Sequence, residues 1–367
     1  MTSSSKLILS DTPTPPDGLL TLLKSHLPYS LPVLRRLQFA RNFPGGSTQS
    51  THVLYAHYDD QGGRHNGDGL NGGHFAAACV DLSRAPETEV WIYSTLEDTA
   101  SALEGAVASG LNGGAEDPKG QQAAGGGGGG GGDSWLDGSG SDDEAGVDLV
   151  LALLRRIRAI ATTDMPHDDH RLKLGGSKNH VLVGSLHETL RQALLSRGVV
   201  MAKPPNVADD LAWEFCGKWL CRAENLPVPA SAPLPQGMRW DRARKEDIAT
   251  VLARTSINRK EATLLMLPST TVRLEDGTPV AWAFMGLDGT ITTLHVEEPY
   301  RQLGLAKAMA CKLMHEHLPD YGDDGWGAAD VFVENFKSQA LCKSIGGRQS
   351  WTLSWAIIDL SSVGEPM

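Results

Sequence analysis

The chain is poor in cysteine, short of positive charge and free of long apolar runs, and each shortage excludes a class of protein. Its five cysteines, Cys79, Cys216, Cys221, Cys311 and Cys342, are an odd number with no CxxC pair. That fits neither a disulfide framework nor a zinc knuckle and points to a reducing compartment. The 33 lysines and arginines are outnumbered by 44 aspartates and glutamates, for a net charge of -11. Such a balance argues against a nucleic-acid partner, which usually meets a basic face, although one local turn can still bind a small anion. No apolar stretch approaches the roughly 18 residues that span a bilayer. Residues 1–10 have neither a basic n-region nor a long apolar h-region, and the acidic, proline-rich residues 11–17 do not look like an Arg-rich transit peptide. The expected location is cytoplasmic, with nucleocytoplasmic also compatible, and no membrane partner is expected.

What is present suggests two or three domains in 367 residues. Residues 19–27 and 31–39 read as short helical or extended pieces. Residues 51–58, 75–82 and 89–94 are β-rich, with a glycine-dense hairpin connection across 59–74. From 109 to 146 the composition turns to Gly, Ser, Asp and Ala, including eight consecutive glycines from Gly125 to Gly132. Such a segment buries too little apolar surface to offset its ordering entropy, so it reads as a disordered insertion. Its acidic end, Ser139-Gly140-Ser141-Asp142-Asp143-Glu144, is a phosphorylation patch or a plain solvated linker. Helical periodicity resumes over 149–160, 185–196 and 209–221, and prolines at 227, 229, 233 and 235 mark a linker. The resulting division is 1–108, the insertion 109–146, a helical continuation 147–225, the linker 226–236 and a C-terminal domain 237–361. No sequence repeat stands out.

The most informative stretch is 290–317, where a β-rich run enters a glycine-bearing turn and then an amphipathic helix. The turn reads Arg301-Gln302-Leu303-Gly304-Leu305-Ala306. Backbone N–H groups at a helix start, with the positive end of the helix dipole, form an anion site suited to phosphate or pyrophosphate. Leu305/Ala306, Met309/Ala310 and Leu313/Met314 recur every four residues and give one apolar helix face.

This turn resembles the R/Q-x-x-G-x-G/A motif of the GNAT superfamily of acyl-CoA-dependent N-acyltransferases. Gly277-Thr278-Pro279-Val280-Ala281-Trp282, Asp288-Gly289-Thr290, Pro299-Tyr300-Arg301 and then Trp351 and Trp355 fall in the order seen in its glycine N-acyltransferase-like (FR47-like) branch. The likeness is firm over residues 236–360, while the first half matches in layout. It implies an α/β GNAT fold, a mixed twisted central sheet flanked by helices, preceded by a degenerate GNAT-like half. It implies acetyl-CoA or another acyl-CoA as co-substrate, no metal, and a small-molecule amine or amino-acid acceptor. Arg301, Gln302, Gly304, Leu305 and Ala306 correspond to the pyrophosphate turn. Leu294, His295 and Val296 correspond to the strand whose backbone pairs with the pantetheine arm, and Asn335 to an asparagine that bonds it. Asn335 is equally well read as a helix cap, and Lys337 as a phosphate contact or a solvated lysine.

The sequence departs from its relatives at the proton-handling positions. Where the glycine acyltransferases place a glutamate base, Thr290 stands, and threonine cannot deprotonate an ammonium. His295 is the best chemical match for a base near neutral pH, and Glu297 and Glu298 are nearby. On a regular strand, however, His295 faces away from Thr290 and Thr292 unless a bulge intervenes. Cys342 stands at the spacing of the family's tyrosine acid, as proton donor or as buried core. Trp351 and Trp355 wall the acceptor pocket or pack the core. His52, His57, His65, His74 and the turn His167-Asp168-Asp169-His170 have no recognised metal-ligand spacing. The expected activity is acyl transfer, acetyl foremost, from CoA to a primary amine by direct attack in a ternary complex. The alternative is a catalytically inactive GNAT-fold module that binds acyl-CoA or a protein partner.

Overall fold

The computed structural model describes residues 6–59, 73–98, 139–163, 179–202, 215–228, 234–255, 257 and 259–364. The first half runs β1 (Lys6–Thr12), α1 (Asp17–Ser25), α2 (Leu31–Asn42), β2 (Thr51–Asp59), β3 (Phe75–Asp81), β4 (Val90–Ser94), α3 (Ser139–Thr163), β5 (His180–His187), α4 (Glu188–Ser196) and β6 (Met201–Ala202). After β7 (Phe215–Arg222), the second half repeats that order. It runs β8 (Met238–Asp241), α5 (Ile248–Ala253), α6 (Glu261–Met266), β9 (Ser269–Leu274), β10 (Pro279–Met285), β11 (Ile291–Val296), α7 (Leu305–Tyr321), β12 (Trp326–Phe332), α8 (Phe336–Ser344) and β13 (Arg348–Asp359). The repeat is structural and leaves no readable trace in the sequence.

The strands form a nine-stranded sheet, whose main path is β1-β2-β3-β4-β5-β13-β7-β12, and a four-stranded sheet, β11-β10-β9-β8. The last strand of the chain, β13, pairs antiparallel with β5 of the first half, and β7 pairs antiparallel with β12 of the second. β13 and β7 also pair with each other. The two halves thus exchange strands across the middle of the large sheet. In α3, Leu149, Leu153, Ile157 and Ile160 are spaced by three or four residues, and all are buried in the core cluster shared with β2 and β3. In α7, Leu305, Met309, Leu313 and Ala310, Met314 form the buried face that the sequence pattern predicts.

Three readings need correction. Residues 215–221, the described part of the expected 209–221 helix, belong to the strand β7. Cys216, Trp219, Leu220 and Cys221 are buried along it because the strand lies between β13 and β12 and is covered on both faces, which defeats an alternating pattern. The expected 185–196 helix begins only at Glu188, after β5, so residues 147–225 supply three strands as well as helix. α3 starts at Ser139, inside the expected insertion, and Val147 on it is already core. Residues 109–138, His65, Pro204-Pro205, residues 209–214, Pro229, Pro233 and the 167–170 turn lie outside the described residues. Among the described residues no helix is long and apolar enough to cross a membrane.

Candidate acyl-CoA site

Two sheet edges meet at one point and then part. Thr290, just before β11, bridges in parallel to Ala328 of β12, and beyond that bridge the edges diverge around a cleft of about 410 Å³. Thr292, Thr293, Leu294 and His295 line one wall and Ala328 to Phe332 the other, with α7 and α8 closing the cleft through Met314 and Cys342. Glu297 N–H donates to Val280 of β10. By strand alternation, Leu294 and Val296 therefore turn their backbone groups to the free edge that faces the cleft.

β11 is bulged. Phe284 pairs with Thr292 and Trp282 with His295, so three steps on β11 match two on β10, and Thr293 takes a left-handed φ of 53°. Trp282 and Phe284 share a face, hence His295 and Thr292 do too. The geometric objection to His295 is removed by one inserted residue. The His295 ring stacks on Trp282 at 4.8 Å, and its Nε2 lies 3.6 Å from Glu297 Oε2 without a hydrogen bond. Glu297 is itself held by Arg254 Nε at 3.0 Å. Thr290 is buried and donates its hydroxyl to Asp288 Oδ1 at 2.7 Å.

At the end of β11 the chain makes a single turn of 3₁₀ helix, Glu298–Tyr300, and then the exposed turn before α7. Gln302 (φ 65°) and Gly304 (φ 77°) are both left-handed. Gly304 caps α7 with no side-chain hydrogen bond, and no acid stands in the first helical turn. The N–H groups of Leu305, Ala306 and Lys307 precede the first residue that can find an intrahelical acceptor. A Cβ on Gly304 would meet nothing within 4 Å. An open, uncapped, positively polarised cradle of this kind fits a pyrophosphate. Arg301 Nε donates to the Val296 carbonyl at 3.1 Å and ties the turn to the strand.

On the far wall, Asn335 Oδ1 caps α8 by accepting from Ser338 N–H at 3.1 Å, and its amide NH₂ remains as a donor beside the cleft. Lys337 is exposed. Cys342 is buried, and burial, helped by Asp330, pushes its thiol up to about 11. Asp330, which the sequence reading missed, lines the cleft and lies 2.6 Å from Lys218 Nζ. Burial raises it to about 6 against the opposing pull of Lys218. The one signal for this pair was a charge in the interior of each apolar strand. Trp351 and Trp355 pack away from the cleft: Trp351 lies against Tyr29 and His187, and Trp355 Nε1 donates to Thr88 at 3.2 Å. His52 pairs with Asp11, and no cluster of three or more His, Cys, Asp or Glu suited to a metal occurs among the described residues.

Among solved structures, that of a Drosophila protein is similar to this chain over 93% of it and 95% of that chain, with a TM-score of 0.53 and 15% identity, a likeness of fold. A tandem GNAT protein from the clavulanic acid biosynthesis pathway aligns over 99% of this chain and 100% of its own (TM-score 0.45, 9% identity). A GCN5-related N-acetyltransferase from Sphaerobacter thermophilus covers 96% of each chain (TM-score 0.42, 11% identity). No curated protein matches by sequence. The family model described as the acyl-CoA N-acyltransferase verG N-terminal domain matches residues 5–214, more than half of the chain. With the parted strands and the glycine turn of the second half, that match makes the chain a member of this acyl-CoA N-acyltransferase family, built on the GNAT fold.

Proposed function

We propose that the protein transfers an acyl group, acetyl foremost, from CoA to a primary amine by direct attack in a ternary complex, using the second half. The observation that carries this reading is the bulge at Thr293, which turns His295 into the cleft on the strand that leads to the anion turn. The N-terminus of α7, with Arg301 and Gln302, holds the pyrophosphate, and the free edge at Leu294 and Val296 orients the pantetheine arm. Asn335 adds a donor to that arm. His295 takes a proton from the amine, and Glu297, beside its Nε2, stabilises the imidazolium. As the C–N bond forms and the C–S bond breaks, the imidazolium returns one proton to the departing thiolate; the second proton of the original ammonium leaves to solvent. Cys342, held near 11, gives up its proton less readily than a free thiol near 8.5. It therefore serves as cleft wall, with the imidazolium the better donor.

In the first half, residues 95–138 stand between β4 and α3, where the second half has only 297–304. The five cysteines are all free and buried, which supports a cytosolic setting.

Turnover of His295→Gln tests the assignment. The variant is expected to lose about 10²- to 10⁴-fold in rate, with CoA affinity unchanged. Full activity would transfer the role to water and Glu297. A wild type that binds CoA firmly and acylates no amine would establish the inactive binding module instead.

A further inference from the structure

Asp330 stands in the wall of the cleft, and its side chain is 5% exposed. Lys218 Nζ lies 2.6 Å from its Oδ1 but outside hydrogen-bond geometry, and neither carboxylate oxygen has a hydrogen-bond partner. Among the described residues no other carboxylate has a sealed oxygen without a partner. The buried acids Asp81, Glu87, Glu97, Asp247 and Asp288 each accept from a hydroxyl, a guanidinium or a backbone N–H. The Ser185 hydroxyl of β5 stands beside Asp330, and it too is sealed from solvent without a partner.

The charge around Asp330 is unbalanced. Burial raises its pKa, Lys218 opposes, and Asp288 adds to the rise. Asp288 is buried and accepts from the hydroxyl and the N–H of Thr290. One lysine thus faces two carboxylates. Arg259, which is also coupled to Asp288, is shared with Glu87. Cys342 of α8 faces Asp330 as well, and its raised thiol carries no charge near neutral pH. A carboxylate offers several acceptor positions, and leaving them desolvated and empty is costly. A ligand that brings a cation recovers that cost.

The strands place this carboxylate on the same side of the cleft as His295. Residues bridged in parallel share a face, so Thr290 and Ala328 do, and so do Thr292 and Asp330 two positions further on. The bulge brings His295 to that face as well. Counted from the bridge, Asp330 is two steps along β12 and His295 four along β11 once the inserted residue is discounted. The offset of two residues is roughly 7 Å along the strands. We propose that Asp330 is a cation subsite and that the acceptor is a diamine, with one nitrogen at His295 and the other bound as an ammonium by the Asp330 carboxylate. This rests on the transferase reading above. The two nitrogens have separate places for a chemical reason: a carboxylate beside the reacting nitrogen would favour its protonated form, which cannot attack. A short alkyl chain spans the interval, and the far ammonium supplies charge-assisted bonds.

The test uses matched acceptors in which a far ammonium replaces a methyl: 1,4-diaminobutane and 1-aminopentane, 1,5-diaminopentane and 1-aminohexane. Thiol release from acetyl-CoA gives KM and kcat. Calorimetry on the CoA-saturated protein gives acceptor binding independently of turnover. For the wild type, the diamine of each pair should show a KM and a Kd lower by about ten- to hundred-fold, beyond the statistical gain from two reactive ends. Asp330→Asn keeps the shape, removes the charge and should erase that advantage, with CoA titration checking that the cleft is intact. Equal handling of both members by the wild type, or equal losses for both in Asp330→Asn, overturns the subsite. The wild-type pairs decide even if the variant fails to fold. If no acceptor releases thiol but 1,4-diaminobutane still binds through Asp330, the transferase reading falls and the subsite stands. If turnover occurs without preference, the subsite falls and the transferase reading stands.

Discussion

Gly304 offers the cleanest perturbation of the CoA turn, because its conformation and its surroundings act on different quantities. Its φ of 77° costs any side-chain-bearing residue about 1–2 kcal/mol, so Gly304→Ala, Gly304→Gln and Gly304→Glu share a similar loss of stability. The space beyond its Cα is empty to 4 Å, so none of the three clashes with the protein itself. What separates Gln from Glu is charge alone. A unit charge about 4 Å from one phosphate charge is worth about 1 kcal/mol in water and about 4 kcal/mol at an effective dielectric constant of 20. Gly304→Glu should therefore bind CoA at least about five-fold more weakly than Gly304→Gln, and the gap should narrow as salt is raised. Calorimetric titration of CoA, with thermal midpoints recorded for the same proteins, measures both effects. Equal affinities for the Gln and Glu variants would remove the pyrophosphate from this turn.

Two further outcomes follow from buried groups elsewhere. His187 accepts from Thr189 N–H at the start of α4 at 3.2 Å, and burial holds its pKa down to about 4. The neutral ring is favoured in the fold, so its stabilisation is complete above pH 6.5 and is lost as pH falls toward 4. That is about 2 kcal/mol between pH 7 and pH 5. His187→Asn keeps a capping side chain without the titration, so urea unfolding should show a correspondingly smaller loss over that interval; parallel losses in the two proteins would refute the assignment. For the insertion, replacing residues 109–138 with a short Gly/Ser linker should leave the thermal midpoint and CoA affinity unchanged. Extending the cut through Gly146, where an added Cβ would come within 2.5 Å of Leu96, should lower the midpoint.

The parts of the site visible in the sequence are those built from neighbouring residues. The turn 301–306 needs only its own six residues to declare a strand, a left-handed glycine and a helix start, and the strands and helices of the second half follow from local periodicity. The bulge is different: Thr293 has no glycine or proline to mark it, and its left-handed backbone follows from the pairing of β11 with β10. Whether His295 faces the cleft was therefore undecidable from β11 alone. Lys218 and Asp330 come together only because β7 lies beside β12. β7 itself reads as helix because Cys216, Trp219 and Leu220 fall at helical spacing, and burial on both faces removes the alternation that would have betrayed a strand.

The strand exchange also sets a schedule for folding during synthesis. When the ribosome has released β5, the strand's far neighbour, β13, has yet to be made, and it becomes available only after residue 359 has emerged. The nascent first half must carry β5 with an unfilled edge through the translation of the whole second half, so the usual order, in which the N-terminal domain closes first, is not open to this chain. An unpaired edge of that duration invites pairing with another nascent copy, and it makes the release of β13 the step that seals both halves at once.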